Sequence, residues 1–77
     1  MWQPVAPGRA ELERYVADVV GTNYAHQAKV WQSIGMLREL YGLDEPAALT
    51  LLTQRATRRE LALFDFAALL VSRKETP

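Results

Sequence analysis

The chain has 77 residues and no cysteine, so it holds one small domain and neither a disulfide nor a thiolate metal site. Its 9 basic and 9 acidic residues cancel, which excludes a global cationic field for nucleic acid. No apolar run reaches the roughly 18 residues of a membrane span, and the first residues do not resemble a signal peptide, so we expect a cytoplasmic protein.

The chain opens with an irregular arm at residues 1–8, where prolines and a glycine interrupt regular structure. A helical extension is predicted at residues 9–29. Its first part, Arg9–Val20, carries leucine, tyrosine and valine at helical spacing. Gly21 then favours a break or kink in the helix.

A second helical run is predicted over Asn23–Tyr41 and ends at Gly42. The next helix restarts at Asp44, a carboxylate suited to an N-cap, followed by an acidic residue and a proline in the first turn. We predict this helix over Glu45–Arg55.

The last predicted helix begins within about two residues of Thr57, because threonine followed by glutamate three residues later has the spacing of a capping box. It covers the stretch ELALFDFAALLV, residues 60–71. No alternating polar pattern and no hairpin signal occurs in the sequence. The predicted fold is therefore all-α.

This last helix has more apolar surface than a single core-facing stripe requires. One stripe, predicted to face the core, consists of Leu63, Phe66, Ala67 and Leu70. A second stripe has the 3, 4, 3 spacing of a helix seam and consists of Leu61, Phe64, Ala68 and Val71. On the second predicted helix, Trp31 and Ile34 also belong to apolar surface that exceeds one core-facing stripe.

Two interpretations account for the surplus apolar surface. Either the first helix and the arm with Trp2 fold back over it, or a homodimer partner or another protein covers it. The small size of the domain favours the homodimer. The candidate protein interface then consists of Trp31, Ile34, Leu61, Phe64, Ala68 and Val71.

The segment Val30–Val71 resembles the ANTAR domain, a small three-helix output module of bacterial transcription antitermination regulators. The matching positions are Gly35, Leu37, Glu39, Gly42, Ala48, Leu51, Leu52, Leu63, Asp65, Ala67 and Val71. The resemblance implies a three-helix ANTAR-like bundle at residues 30–74, preceded by the additional amphipathic helix. It also implies binding of RNA stem-loops, usually by a dimer, that prevents a terminator hairpin from forming.

Several basic positions of the ANTAR pattern are replaced in this chain. The apolar residues that stand there are Ile34, Leu40, Leu61, Ala62 and Phe64, and Glu60 stands where the pattern has asparagine. Since basic side chains supply most affinity for nucleic acid, these changes remove several phosphate contacts. The same replacements supply much of the second apolar stripe, which lies on the face with which an ANTAR domain would bind RNA.

The remaining cations form the candidate RNA-binding set, namely Arg55, Arg58, Arg59, Lys29 and Arg38. Arginines at the N-terminus of the last helix would be placed to hold a phosphate. The alternative is a solvated turn with surface ion pairs, each contributing roughly 0–1 kcal/mol.

We expect no catalysis, no cofactor and no metal site, since no phosphate-binding glycine loop and no metal-ligand spacing occurs. His26 lacks a neighbouring carboxylate or nucleophile, and we expect it at the surface or an interface. Asp65 is expected to point to solvent or meet an arginine. Two functions therefore stay open: an RNA-binding regulator of transcription, or a degenerate ANTAR fold that serves protein interaction or dimerisation without RNA.

Overall fold

A computed structural model describes residues 8–74, and within this range the chain is all-helical, with four helices and no strand. The helices are α1 (Arg9–Val20), α2 (Tyr24–Tyr41), α3 (Glu45–Arg58) and α4 (Leu63–Val71). The predicted all-α fold is confirmed. The predicted irregular arm lies outside the described residues, apart from Gly8.

The break between α1 and α2 is confirmed at Gly21, whose φ of 91° lies in a region that side chains other than glycine rarely adopt. Asn23 then caps α2, since its side-chain oxygen accepts hydrogen bonds from the N–H groups of Ala25 (3.0 Å) and His26 (3.3 Å). The boundary drawn between residues 29 and 30 falls inside α2, so the backbone is continuous there.

The connection from α2 to α3 follows the sequence signals closely. Gly42 takes a left-handed conformation with a φ of 65°, and its N–H donates to the Arg38 carbonyl at 2.8 Å. The Asp44 carboxylate accepts a hydrogen bond from the Ala47 N–H at 2.9 Å, and Pro46 lies in the first turn. The predicted restart of the helix is confirmed.

The junction between α3 and α4 differs from the prediction. α3 continues past Arg55 for almost another turn, and the Thr57 hydroxyl donates a hydrogen bond to the Thr53 carbonyl (2.9 Å) within it. The predicted capping box of Thr57 and Glu60 is therefore wrong, and so is the helix start near Thr57. α4 begins at Leu63 and has no side-chain cap.

A left-handed turn after α3 explains this difference. Glu60 has a φ of 57°, and its N–H donates to the Thr57 carbonyl at 3.0 Å. The next N–H, of Leu61, reaches back to the Ala56 carbonyl at 2.9 Å. These two bonds form a Schellman motif, which satisfies the last carbonyls of the helix and is usually marked by glycine. Because glutamate and not glycine occupies the left-handed position, no residue type in the sequence signals the end of α3.

The core lies where α2, α3 and α4 meet, and α1 packs against α2 and α4. The predicted core stripe of α4 is confirmed, since Leu63, Phe66, Ala67 and Leu70 are all buried. Leu12 and Val16 are buried from α1, so the helix ahead of the three-helix unit belongs to the same core.

Ser33 is the buried polar side chain of this core, and its exposed fraction is 0%. Its hydroxyl lies 2.9 Å from the Lys29 carbonyl of its own helix and 3.0 Å from the Ala67 carbonyl of α4. The hydroxyl is therefore satisfied and joins α2 to α4 in the core.

Candidate nucleic-acid and protein interfaces

The centre of the candidate RNA-binding set is Arg55, whose side chain is half-buried against α2. Its Nη2 donates a hydrogen bond to the Tyr41 hydroxyl at 3.4 Å, and its guanidinium carbon lies 5.5 Å from the centre of the Tyr41 ring. This contact brings the last turns of α2 and α3 together, although the two residues are 14 positions apart.

Three further arginines lie within one helical turn of this contact. Arg58 and Arg59 follow Arg55 by three and four residues, and Arg38 precedes Tyr41 by three, so each is a neighbour on the helix surface. All three are exposed. We call these residues the arginine surface, and it consists of Arg38, Tyr41, Arg55, Arg58 and Arg59.

Lys29 does not join the arginine surface. It lies nine residues before Arg38 on α2, which corresponds to about 13 Å along the helix axis. Four of the five predicted cations therefore lie in or next to the last turns of α2 and α3, and Lys29 lies apart. Tyr41 was missed as a site residue because no short-range signal connects it to a residue on the next helix.

The predicted placement of the arginines at a helix N-terminus is wrong. Arg55 and Arg58 lie in the last turn of α3, and Arg59 is its C-cap. Cations at this end interact favourably with the helix dipole, by about 0.3–1 kcal/mol each. The arginine surface therefore includes a helix C-terminus, where the guanidinium groups themselves would supply the positive charge.

Ile34 is not an interface residue, contrary to the prediction. Its exposed fraction is 1%, and it packs in the core of α2, α3 and α4. Ile34 therefore contributes an apolar side chain to the core and offers none to a partner. Leu40, by contrast, is 60% exposed near the arginine surface.

Trp31 is half-buried and already covered on one side by its own chain. The Arg9 guanidinium lies 4.0 Å from the centre of the Trp31 ring. The same guanidinium bridges to the carboxylates of Glu45 at 2.7 Å and Glu13 at 3.3 Å. Arg9 thus ties α1 to both α2 and α3 and leaves little of Trp31 for a partner.

The predicted second stripe lies between core and solvent, since its four residues are all half-buried, namely Leu61, Phe64, Ala68 and Val71. Leu61 precedes α4, so the predicted helical spacing holds for Phe64, Ala68 and Val71 alone. Phe64 stacks on His26 of α2, with ring centres 3.9 Å apart and planes inclined by 22°. His26 of α2 therefore covers one face of the Phe64 ring. The stripe keeps partial exposure along its length.

His26 is half-buried in this stack, and Asp65 is exposed, as predicted for a residue that points to solvent. Among the described residues, no three His, Asp or Glu side chains lie close enough together to hold a metal ion. None of the four helices between residues 8 and 74 has the length and apolar character needed to cross a bilayer.

Comparison of the chain with known protein families, with characterised proteins and with solved structures finds no match.

Proposed function

We propose that this chain is an ANTAR-like, RNA-binding regulator of transcription of the antitermination type, which acts as a homodimer in the bacterial cytoplasm without catalysis or cofactor. The observation that carries the proposal is the contact between Arg55 and Tyr41, because it joins the last turn of α3, where Arg58 also lies, to the last turn of α2, where Arg38 lies. An RNA stem-loop offers phosphates to such a surface and unpaired bases to an exposed aromatic ring.

The chemistry of the arginine surface supports this proposal. Guanidinium groups bind phosphate in a bidentate manner and remain charged at all physiological pH values. Because the whole chain has a formal net charge of +0, affinity for RNA must come from this local concentration of cations. The resemblance of residues 30–71 to the ANTAR pattern supplies the choice of RNA over other phosphate-bearing partners.

The first prediction is that the double variant Arg58→Ala, Arg59→Ala binds an RNA stem-loop at least about tenfold more weakly than the wild type at moderate salt. Each lost phosphate contact removes a released counterion and its contribution to affinity. Fluorescence anisotropy with a labelled stem-loop measures the effect. Thermal stability should stay within about 0.5 kcal/mol, since both side chains are exposed.

A matched control removes the same charge elsewhere. Arg14→Ala, Lys74→Ala also deletes two exposed cations, one on α1 and one after α4. Its affinity should stay within about threefold of the wild type, because long-range attraction is screened beyond about 10 Å at ordinary salt. If both double variants lost affinity for the stem-loop equally, binding would depend on net charge and not on the arginine surface.

A second candidate function is protein interaction or dimerisation without RNA. The observation that favours it is the second stripe, where Phe64, Ala68 and Val71 follow one another at helix-seam spacing on α4 and keep partial exposure, with half-buried Leu61 just ahead of the helix. Natural single domains seldom leave a continuous apolar seam uncovered, because association removes it from water. A dimer through this stripe is compatible with RNA binding at the arginine surface as well.

The second prediction concerns this seam. The wild type should associate at micromolar concentration, and Phe64→Glu should yield a folded monomer, because a carboxylate cannot be buried in an apolar contact without a partner. Analytical ultracentrifugation measures the mass in solution. Leu40→Glu is the control, since it adds the same charge at an exposed apolar residue away from the seam. A wild-type monomer at these concentrations would exclude the dimer.

A further inference from the structure

α1 and α3 line an open, mostly apolar cavity that neither the arginine surface nor the seam of α4 uses. Its volume is about 430 Å³, which falls within the roughly 300–1,000 Å³ of typical small-molecule sites. Leu12 and Leu49 are among its lining residues and are almost fully buried, with exposed fractions of 7% and 5%. Tyr15 of α1 also lines it and is 43% exposed.

An ion pair joins the two helices beside one end of this cavity. The Nη1 of Arg9, at the start of α1, lies 2.7 Å from the Oε2 of Glu45, at the start of α3. Two lining residues lie close to this pair in the sequence, since Pro46 directly follows Glu45 and Glu11 follows Arg9 by two residues. The volume of the cavity suits a compact ligand.

The polar groups around the cavity are mostly hydrogen-bond acceptors. The Thr50 hydroxyl donates its hydrogen to the Pro46 carbonyl at 3.0 Å, and the Thr53 hydroxyl donates to the Leu49 carbonyl at 2.9 Å. With their hydrogens used in this way, both oxygens can only accept a further hydrogen bond. The exposed carboxylate of Glu11 adds a negative charge to the same lining.

We infer that this cavity binds a small organic amine with a flat or branched apolar body. The apolar body would rest on Leu12, Leu49 and the Tyr15 ring. The ammonium group would donate hydrogen bonds to Glu11 and a threonine oxygen, which supply the charge and the acceptors that such a cation requires. This assignment does not depend on whether the protein binds RNA.

Three probes of similar size test the inference, namely phenethylamine, phenylacetamide and phenylacetate. Each is titrated into the full-length chain while amide chemical shifts are followed by NMR. Phenethylamine should bind saturably, with the largest shifts around Tyr15 and Thr53. The neutral and anionic probes should bind about fivefold more weakly, which is close to the largest factor that one exposed ion pair contributes.

Variants distinguish binding of the amine in the cavity from general electrostatic attraction to the protein. Glu11→Gln should weaken phenethylamine binding about fivefold. Asp18→Asn removes the same charge from an exposed residue of the same helix and should change it less than about twofold, because Asp18 does not line the cavity. Gln54→Lys, which places a cation in the lining, should also weaken it, and circular dichroism verifies that each variant is folded.

Four results of the ligand titrations would overturn the inference. They are the absence of saturable binding, equal affinity for all three probes, equal weakening by Glu11→Gln and Asp18→Asn, and shifts centred away from α1 and α3. Shifts at Tyr15 and Thr53 that depend on protein concentration alone would show a second copy in the cavity and would equally overturn it.

Discussion

At the scale of single residues, two side chains occupy left-handed backbone conformations that glycine usually takes. Glu60 has a φ of 57° after α3, and Arg73 has a φ of 61° after α4. Both form Schellman motifs, since the Lys74 N–H also reaches back five residues, to the Leu69 carbonyl at 2.9 Å. In each case a Cβ atom crowds the backbone, which costs roughly 1 kcal/mol.

The third prediction follows from this strain. Glu60→Gly should raise the free energy of unfolding, by up to about 1 kcal/mol, because glycine relieves the left-handed conformation. Urea denaturation measures the change. The control is Glu39→Gly, which removes the same charge from an exposed position inside α2 and should lower the free energy of unfolding by about 0.5 kcal/mol. Loss of stability in both variants would contradict the left-handed turn.

At the scale of elements, the helix ends that carry conventional caps were predicted from the sequence. The end of α3, which has no such cap, was not. Gly21, Asn23, Gly42 and Asp44 all perform the roles that their residue types favour. The α3–α4 junction was misjudged because Thr57 and Glu60 have the spacing of a cap while the backbone bonds of the Schellman motif decide the conformation. Such bonds leave no side-chain signature when glycine is absent.

The residues of the candidate site could be predicted from the sequence, but their arrangement in the folded chain could not. Arg38, Arg55, Arg58 and Arg59 were identified as cations, but the contact of Arg55 with Tyr41 depends on how α3 crosses the end of α2. Spacing along one helix carries no such information. For the same reason the buried position of Ile34 could not be derived, because its face of α2 meets α3 and α4 only in the folded chain.

The fourth prediction compares a true cap with the false one. Asp44→Ala should lower the free energy of unfolding by about 1 kcal/mol, because the Ala47 N–H loses its partner at the start of α3. Thr57→Ala should be neutral or slightly stabilising, since alanine favours a helix interior and the Thr57 hydroxyl only bonds within its own helix. Thermal denaturation of the two variants measures both. Equal destabilisation by Asp44→Ala and Thr57→Ala would show that Thr57 acts as a helix cap.

At the scale of the whole molecule, the described chain presents chemically different surfaces on one core. The arginine surface lies at the ends of α2 and α3, the apolar seam runs along α4, and the cavity lies between α1 and α3. α1 contributes to the core through Leu12 and Val16 and is therefore structural as well as a wall of the cavity. Because the net charge is zero, function at any of these surfaces depends on local arrangement.

The fifth prediction, and the most direct test of RNA binding, is the dependence of stem-loop affinity on salt for the wild type and for Arg58→Ala, Arg59→Ala. The logarithm of the wild-type association constant should fall linearly with the logarithm of salt concentration, with a slope of about −0.7 to −0.9 per phosphate neutralised. The double variant should show a shallower slope, by about 1.5, while mass in solution stays unchanged. Binding that is absent or independent of salt, with the oligomeric state intact, would contradict an RNA-binding function and leave protein interaction as the role of this fold.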